Sequence, residues 1–190
     1  MGLFDAILGR RKVARPAPDR LFAITTADIT LSTEHGITSR GVAAIVFQPL
    51  ATGDFERIAS DMEAVLRSAG EETGSTIETS TDEVGYRWMI VHDPDVEDLA
   101  VGVNAVSDQL QLDGYAERLL CAVFAFQDGK GRPLYFIYNY KRGAWYPFAP
   151  ADGEQQRDTE RELRIKAVVG ADLPIEPEMS RWFPLWGIPI

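Results

Sequence analysis

Eight consecutive residues, Leu119 to Phe126, read Leu-Leu-Cys-Ala-Val-Phe-Ala-Phe and are apolar at odd and even positions alike. A strand sends alternate side chains to opposite faces, so a strand of this composition has no face to give to water. The run predicts an interior strand of a sheet covered on both sides. Any fold for this chain has to supply neighbours and two covering layers for it.

The neighbours are legible. Val42 to Phe47 is a second apolar run, stopped by Pro49. Ile77 to Ser80 and Tyr86 to His92 flank Asp82 and Gly85 as a hairpin, with Tyr86, Trp88 and Ile90 on one face. Leu134 to Tyr140 follows a turn at Asp128 to Gly131, and Ala144 to Phe148 follows a turn at Arg142 and Gly143. Covering helices are predicted from apolar spacing. Phe55, Ile58, Ala59, Met62, Val65, Leu66 and Ala69 form one stripe, with Asp54 as cap and Gly70 as stop, before a polar loop from Glu71 to Ser75. Val96, Leu99, Ala100, Val103, Val106 and Leu110 form another, capped by Asp95 and ending before Gly114. A last helix is predicted over Glu154 to Val169, supported by Glu160 with Arg164 and Glu162 with Lys166. Leu21 to Gly36 is mixed. Thr26 suits a helix cap, whereas Ile29 to Ser32 alternates like a strand, and helix is the reading favoured.

The predicted order is helix, strand, helix, two strands, helix, three strands, helix and tail. Hairpins outnumber βαβ units, which points to an α+β fold: a single compact domain with a mostly antiparallel sheet of five to six strands and packed helices. Within it, residues 1–12 read as an amphipathic basic helix, 13–20 as a Pro-containing linker, 21–172 as the α+β domain and 173–190 as a Pro/Trp-rich tail.

The head stands apart in charge. Residues 1–20 hold five Arg or Lys against two Asp, a local +3 within a total of −10, so the rest of the chain carries −13. An acidic body argues against nucleic-acid binding, which depends on neutralising phosphates. In the head, Leu3, Phe4, Ile7 and Leu8 share one helical stripe and Arg10, Arg11 and Lys12 follow Gly9. Such a helix is marginal alone in water and needs a surface. Two readings stay open: it docks on a membrane surface or a partner's groove, or it packs on its own domain. Gly2 is not followed by Ser or Thr at position 6, so the myristoylation pattern is incomplete.

The tail concentrates Trp182, Phe183 and Trp186 where no repeating structure is expected. Either it folds back onto its own domain or it presents aromatic anchors to a partner; the first is preferred, because exposed Trp pairs are a solubility liability.

The search for catalytic chemistry assigns no catalytic, cofactor or metal residue. His92, Asp93 and Asp95 are the nearest approach to a metal site, but Asp95 is better used as a helix cap and the spacing fits no zinc or calcium motif. Cys121 lies in the most apolar strand, with nothing electropositive beside it. Gly129-Lys130-Gly131 is a turn rather than a phosphate loop, and no Gly-x-Ser-x-Gly elbow occurs. One cysteine allows no intrachain disulfide, and no run approaches membrane-spanning length, so a cytoplasmic protein, free or peripheral at the inner face of the membrane, is expected.

Met1-Gly2-Leu3-Phe4-Asp5 with the basic run, Asp82-Glu83-Val84-Gly85-Tyr86-Arg87-Trp88, Tyr146-Pro147-Phe148-Ala149-Pro150, and Leu173-Pro174 through Ser180-Arg181-Trp182-Phe183-Pro184-Leu185-Trp186-Gly187 together resemble the PspAB family. The resemblance runs along nearly the whole chain, and the aromatic tail is its most specific part. It implies a PspA-associated protein of the phage-shock envelope-stress system, with a link to an HtpX-type membrane peptidase, and it brings no catalytic residues. The element order is also similar to YbjN-like or secretion-chaperone-like domains. The expected function is a non-catalytic accessory or adaptor binding a membrane-associated protein. The alternatives are a small-molecule or peptide-binding module with an aromatic groove lined by Trp88 and the last hairpin, and a metal-dependent hydrolase around His92.

Overall fold

The structure, a computed structural model, describes residues 18–190. The head residues Leu3, Phe4, Ile7, Leu8, Arg10, Arg11 and Lys12 lie outside that range. The stretch read as a linker enters it at Pro18, where a single helical turn, α1 (Pro18–Leu21), begins.

Six strands form one antiparallel sheet: β1 (Thr38–Phe47), β2 (Thr76–Thr81), β3 (Arg87–His92), β4 (Leu119–Gln127), β5 (Pro133–Asn139) and β6 (Ala144–Phe148), in the order β2-β3-β1-β4-β5-β6. The apolar-on-both-faces run is β4. It sits in the interior beside β1, with Ala44 opposite Val123 and Val46 opposite Cys121. β1 in turn pairs with β3, Ala44 opposite Ile90 and Val46 opposite Trp88. The fold is α+β, as the element order predicts.

Four longer helices cover one face: α2 (Ala23–His35), α3 (Gly53–Thr73), α4 (Val96–Leu112) and α5 (Thr159–Val169). α4 lies on β1 with β3 and β4 beside it, α3 on β2, and α5 on β6. α1 packs against α2 and α4. Between this layer and the sheet, Ala43, Ile45, Phe47, Phe124, Phe126, Phe136, Tyr138 and Trp145 meet Leu31, Phe55, Leu99, Val103 and Leu110. Gly102 lets α4 approach β3 closely, since a Cβ there would stand 3.2 Å from both Val91 methyls. Phe55 sits edge-on to Tyr115 at 5.0 Å and tilted against Phe47 at 6.1 Å, which pins the first turn of α3 to the end of β1.

Several boundaries differ from the expectation, each for a local reason. α2 ends at Gly36 in the left-handed region, as read, but it begins earlier: Phe22 holds the cap position and Thr26 lies inside the helix. α3 is capped by Thr52, whose hydroxyl accepts from the Phe55 N–H, rather than by Asp54. It also runs through Gly70 to a left-handed Gly74, so most of the polar segment from Glu71 is helix. A lone interior glycine weakens a helix without stopping it. α5 starts only at Thr159, after Asp158 caps it by accepting from Arg161 N–H. Glu160 does pair with Arg164 at 2.7 Å. Glu162 does not turn to Lys166: it points inward, fully buried, to Arg157.

Candidate interaction site

The second face of the sheet is as apolar as the first. Val42, Ala44, Val46, Trp88, Ile90, Cys121, Val123, Ala125, Tyr135, Ile137, Tyr146 and Phe148 form its cluster, and among the described residues no helix contributes to it. What covers the β5–β6 side is the tail. Pro174 and Glu176 first run along the outer edge of β6: Trp145 N–H donates to Pro174 C=O at 2.9 Å, and Glu176 N–H donates to Trp145 C=O at 2.8 Å. The chain then crosses onto the second face. Trp182 is 2% exposed, stacks on Tyr146 with ring centres 6.4 Å apart, and donates its Nε1–H to Glu176 C=O at 2.9 Å. Trp186 meets Phe148 edge-on at 5.1 Å, and the hydroxyls of Tyr146 and Tyr135 donate to the carbonyls of Phe183 and Ile190. The three aromatic residues singled out in the tail thus part company. Trp182 is core, whereas Phe183 is 57% exposed and Trp186 36% exposed.

Two ion pairs, each between a buried carboxylate and a more exposed arginine, clamp the strap. Arg157 makes a forked contact with Glu162, Nη2 to Oε2 being 2.6 Å, while its Nη1 donates to Trp182 C=O at 2.8 Å and its guanidinium lies 5.9 Å from the Phe148 ring centre. One side chain therefore ties tail, helix and strand together, using the fork geometry that only Arg provides. Glu162 Oε1 also accepts from Ala149 N–H at 3.0 Å. Glu176 accepts from Arg142 Nε at 2.9 Å, with Arg181 Nη1 3.7 Å away. Burial alone would raise the Glu176 carboxyl; hydrogen bonds from Arg142 and the Glu178 N–H, with the Arg142 and Arg181 charges, hold it below the ordinary glutamate range.

The residues considered for chemistry are otherwise engaged. His92 Nε2 lies 2.9 Å from Glu78 Oε1. Asp93 accepts from the Ser75 hydroxyl and from Asp95 N–H, and Asp95 caps α4 by accepting from Glu97 N–H at 2.7 Å. Among the described residues no group of three or more His, Cys, Asp or Glu is placed to hold a metal. Cys121 is buried, which pushes its thiol up to about 12. Trp88 is 3% exposed with its Nε1–H on Asp82, and Tyr135, Tyr138, Tyr140, Trp145 and Tyr146 are all buried. The last hairpin and Trp88 supply both cores rather than an aromatic groove.

The open concavities lie on the helix side. A groove of about 450 Å³ runs between α3 and α4, lined by Ile58, Met62, Val65, Leu66, Ala105 and Val106, with Arg57, Asp61, Gln109 and Asp113 around it. Val65 is 67% exposed on its wall, and Leu112, at the end of α4, is 82% exposed. A smaller, polar hollow of about 310 Å³ separates α3 from β2, where Arg87 bridges to Glu56 at 3.0 Å. The α3–α4 groove went unread in the sequence, because Ile58, Met62, Val65 and Leu66 stand at the i, i+4, i+7 and i+8 spacing of an ordinary packed face.

A helix-backed antiparallel sheet strapped by its own tail, with an open apolar groove between two of its helices, defines a single-domain α+β protein. Over residues 1–190, its whole length, the chain matches the family of PspA associated protein B, and it belongs to that family. No curated protein and no solved structure matches it. Among the described residues no helix is long and apolar enough to cross a membrane.

Proposed function

We propose that this protein is a non-catalytic accessory factor of a PspA-type envelope-stress response, and that it binds a membrane-associated protein of that system at the inner face of the membrane. The observation that carries the reading is the α3–α4 groove: an apolar floor open to solvent, on a domain that family membership ties to PspA. Its occupant is an amphipathic helix of the partner. Helices that dock in grooves do so through residues spaced three and four apart, and a floor built from two helices matches that spacing. Asp61 and Asp113 at the rim, on a body of formal charge −13 beyond residue 20, favour a helix with basic flanks. The exposed Phe183 and Trp186 are a second contact for the same partner.

The test is co-purification with PspA, and separately with an HtpX-type peptidase, using the double variant Val65→Asp and Ala105→Asp. Val65 and Ala105 are solvent-facing, so melting behaviour is expected to stay within about 0.5 kcal/mol of the parent. Capture of the partner is expected to be lost. Full capture by the folded double variant would remove the groove from the account.

A further inference from the structure

We infer that β2 is an interaction edge: an extended segment of a partner chain, carrying Lys or Arg at alternate positions, adds to the sheet as a further strand beside Thr76–Thr81. The two edges of the sheet are treated differently. At β6 the tail runs alongside and takes up the backbone, through Pro174 and Glu176 and a parallel bridge from Ile175 to Trp145. At β2, the outermost strand on the other side, the pairing to β3 is the only ladder among the described residues. It runs unbroken from Thr76 opposite His92 to Thr81 opposite Arg87. Natural edges are blunted by Pro, Lys, a bulge or a covering segment. Among the described residues β2 has none of these.

The phase of the ladder fixes which backbone groups are free. Asp82 N–H donates to Tyr86 C=O at 3.0 Å, and on the far side of β3 Asp93 N–H donates to Gly41 C=O at 3.0 Å. Successive residues of an antiparallel strand turn to one neighbour and then to the other. Both bonds set the same phase: Thr76, Glu78 and Ser80 direct their backbone groups to β3, and Ile77, Thr79 and Thr81 direct theirs outward, with no partner among the described residues. The side chains define the strand that fits. Ile77 and Thr79 are on the helix side, Ile77 in the core and Thr79 donating its hydroxyl to Glu63 at 2.9 Å. An added strand sends every second side chain toward the polar hollow between α3 and β2, where Arg87 and Arg67 already meet Glu56 and Glu63. Small polar or β-branched residues suit those positions. The alternate side chains lie on the opposite face beside Glu78, which is 59% exposed and meets His92, not a permanent cation. Lys or Arg opposite Glu78 supplies the countercharge, and the acidic body draws such a segment in. A second copy of this chain fits poorly. α3 lies on β2, so twofold pairing through this edge puts two helices over strands about 5 Å apart, whereas packed helices need about 8–10 Å. The inference does not depend on the α3–α4 groove or its proposed occupant.

The probe is a synthetic peptide alternating Lys with Thr or Val, titrated into the full chain while backbone amide exchange is read by NMR. In the free protein the amides of Ile77, Thr79 and Thr81 are expected to exchange freely and those of Glu78 and Ser80 to be protected. With the peptide bound, exchange at Ile77, Thr79 and Thr81 is expected to slow on the order of tenfold. A peptide N-methylated at alternate residues keeps every charge but lacks the donors of one edge, and is expected not to bind. Thr79→Pro removes an outward N–H that β3 does not use and is expected to weaken binding on the order of tenfold. Should that variant not fold, the N-methylated peptide against the parent chain carries the same test. Equal binding of the N-methylated peptide, or of one with Glu in place of Lys, overturns the inference, as does no binding of the Lys peptide. Protection of Ile77, Thr79 and Thr81 in the free chain also overturns it, and protection that grows with protein concentration would make the occupant a second copy. Shifts confined to Val65 and Leu66 would place the peptide in the α3–α4 groove and overturn it too.

Discussion

At the scale of single residues, Arg157 and Glu162 carry the largest consequences. Glu162 is fully buried and its carboxylate is met by a fork from Arg157 and by a backbone donor. Removing its charge strands a guanidinium that also holds Trp182, so Glu162→Gln is expected to lose about 3–5 kcal/mol in a denaturant titration. Glu176 gives a pH dependence. Its folded carboxyl titrates below the ordinary 4.5, so it stabilises the fold above that value and the contribution disappears as pH falls through the lowered one. The tail is therefore expected to loosen in acid, below about pH 4.5. Tryptophan emission should move to the red there, and Glu176→Gln should flatten that transition. Neither pair was legible from sequence. Glu162 has Lys166 one turn away, and the local pairing rule sends it outward, whereas the fold turns it toward an Arg five residues upstream. Local spacing cannot reveal which face of α5 a tertiary cover will claim.

At the scale of elements, the strands and helices with unbroken periodicity, β4, α4 and the hairpins, were readable because one physical demand, burial, set every residue in them. Boundaries were less so, since a cap such as Thr52 depends on one hydroxyl meeting one N–H. The tail is the element where sequence reasoning had two answers, and packing chose between them residue by residue. Trp182 fills the space between Tyr146 and the Lys166 ammonium, 5.7 Å from its ring centre, while Phe183 faces outward. Trp182→Ala is expected to cost about 3–5 kcal/mol and to free the strap. Trypsin cleavage after Arg181 should then accelerate well before global unfolding. Unchanged cleavage would mean that the ion pairs alone hold the strap. The groove between α3 and α4 is the converse case. It exists because two amphipathic helices splay over β2 and β1, and nothing in either helix alone specifies that angle.

At the scale of the whole molecule, the sheet is assembled out of sequence order. β1 is the first strand made, yet both of its neighbours come later: β3 some forty residues on and β4 some seventy. During synthesis the segment Val42 to Phe47, buried on both faces in the finished protein, therefore has no strand to pair with while the next forty residues emerge, and lacks its second neighbour until some seventy have. Such non-local pairing places folding toward the slow end for a domain of this size, milliseconds to seconds rather than microseconds. An unpaired apolar strand is also the element most prone to join another chain. The interval before β3 arrives is thus the chain's period of greatest aggregation risk, and a holdase that recognises extended apolar segments would act on β1 first.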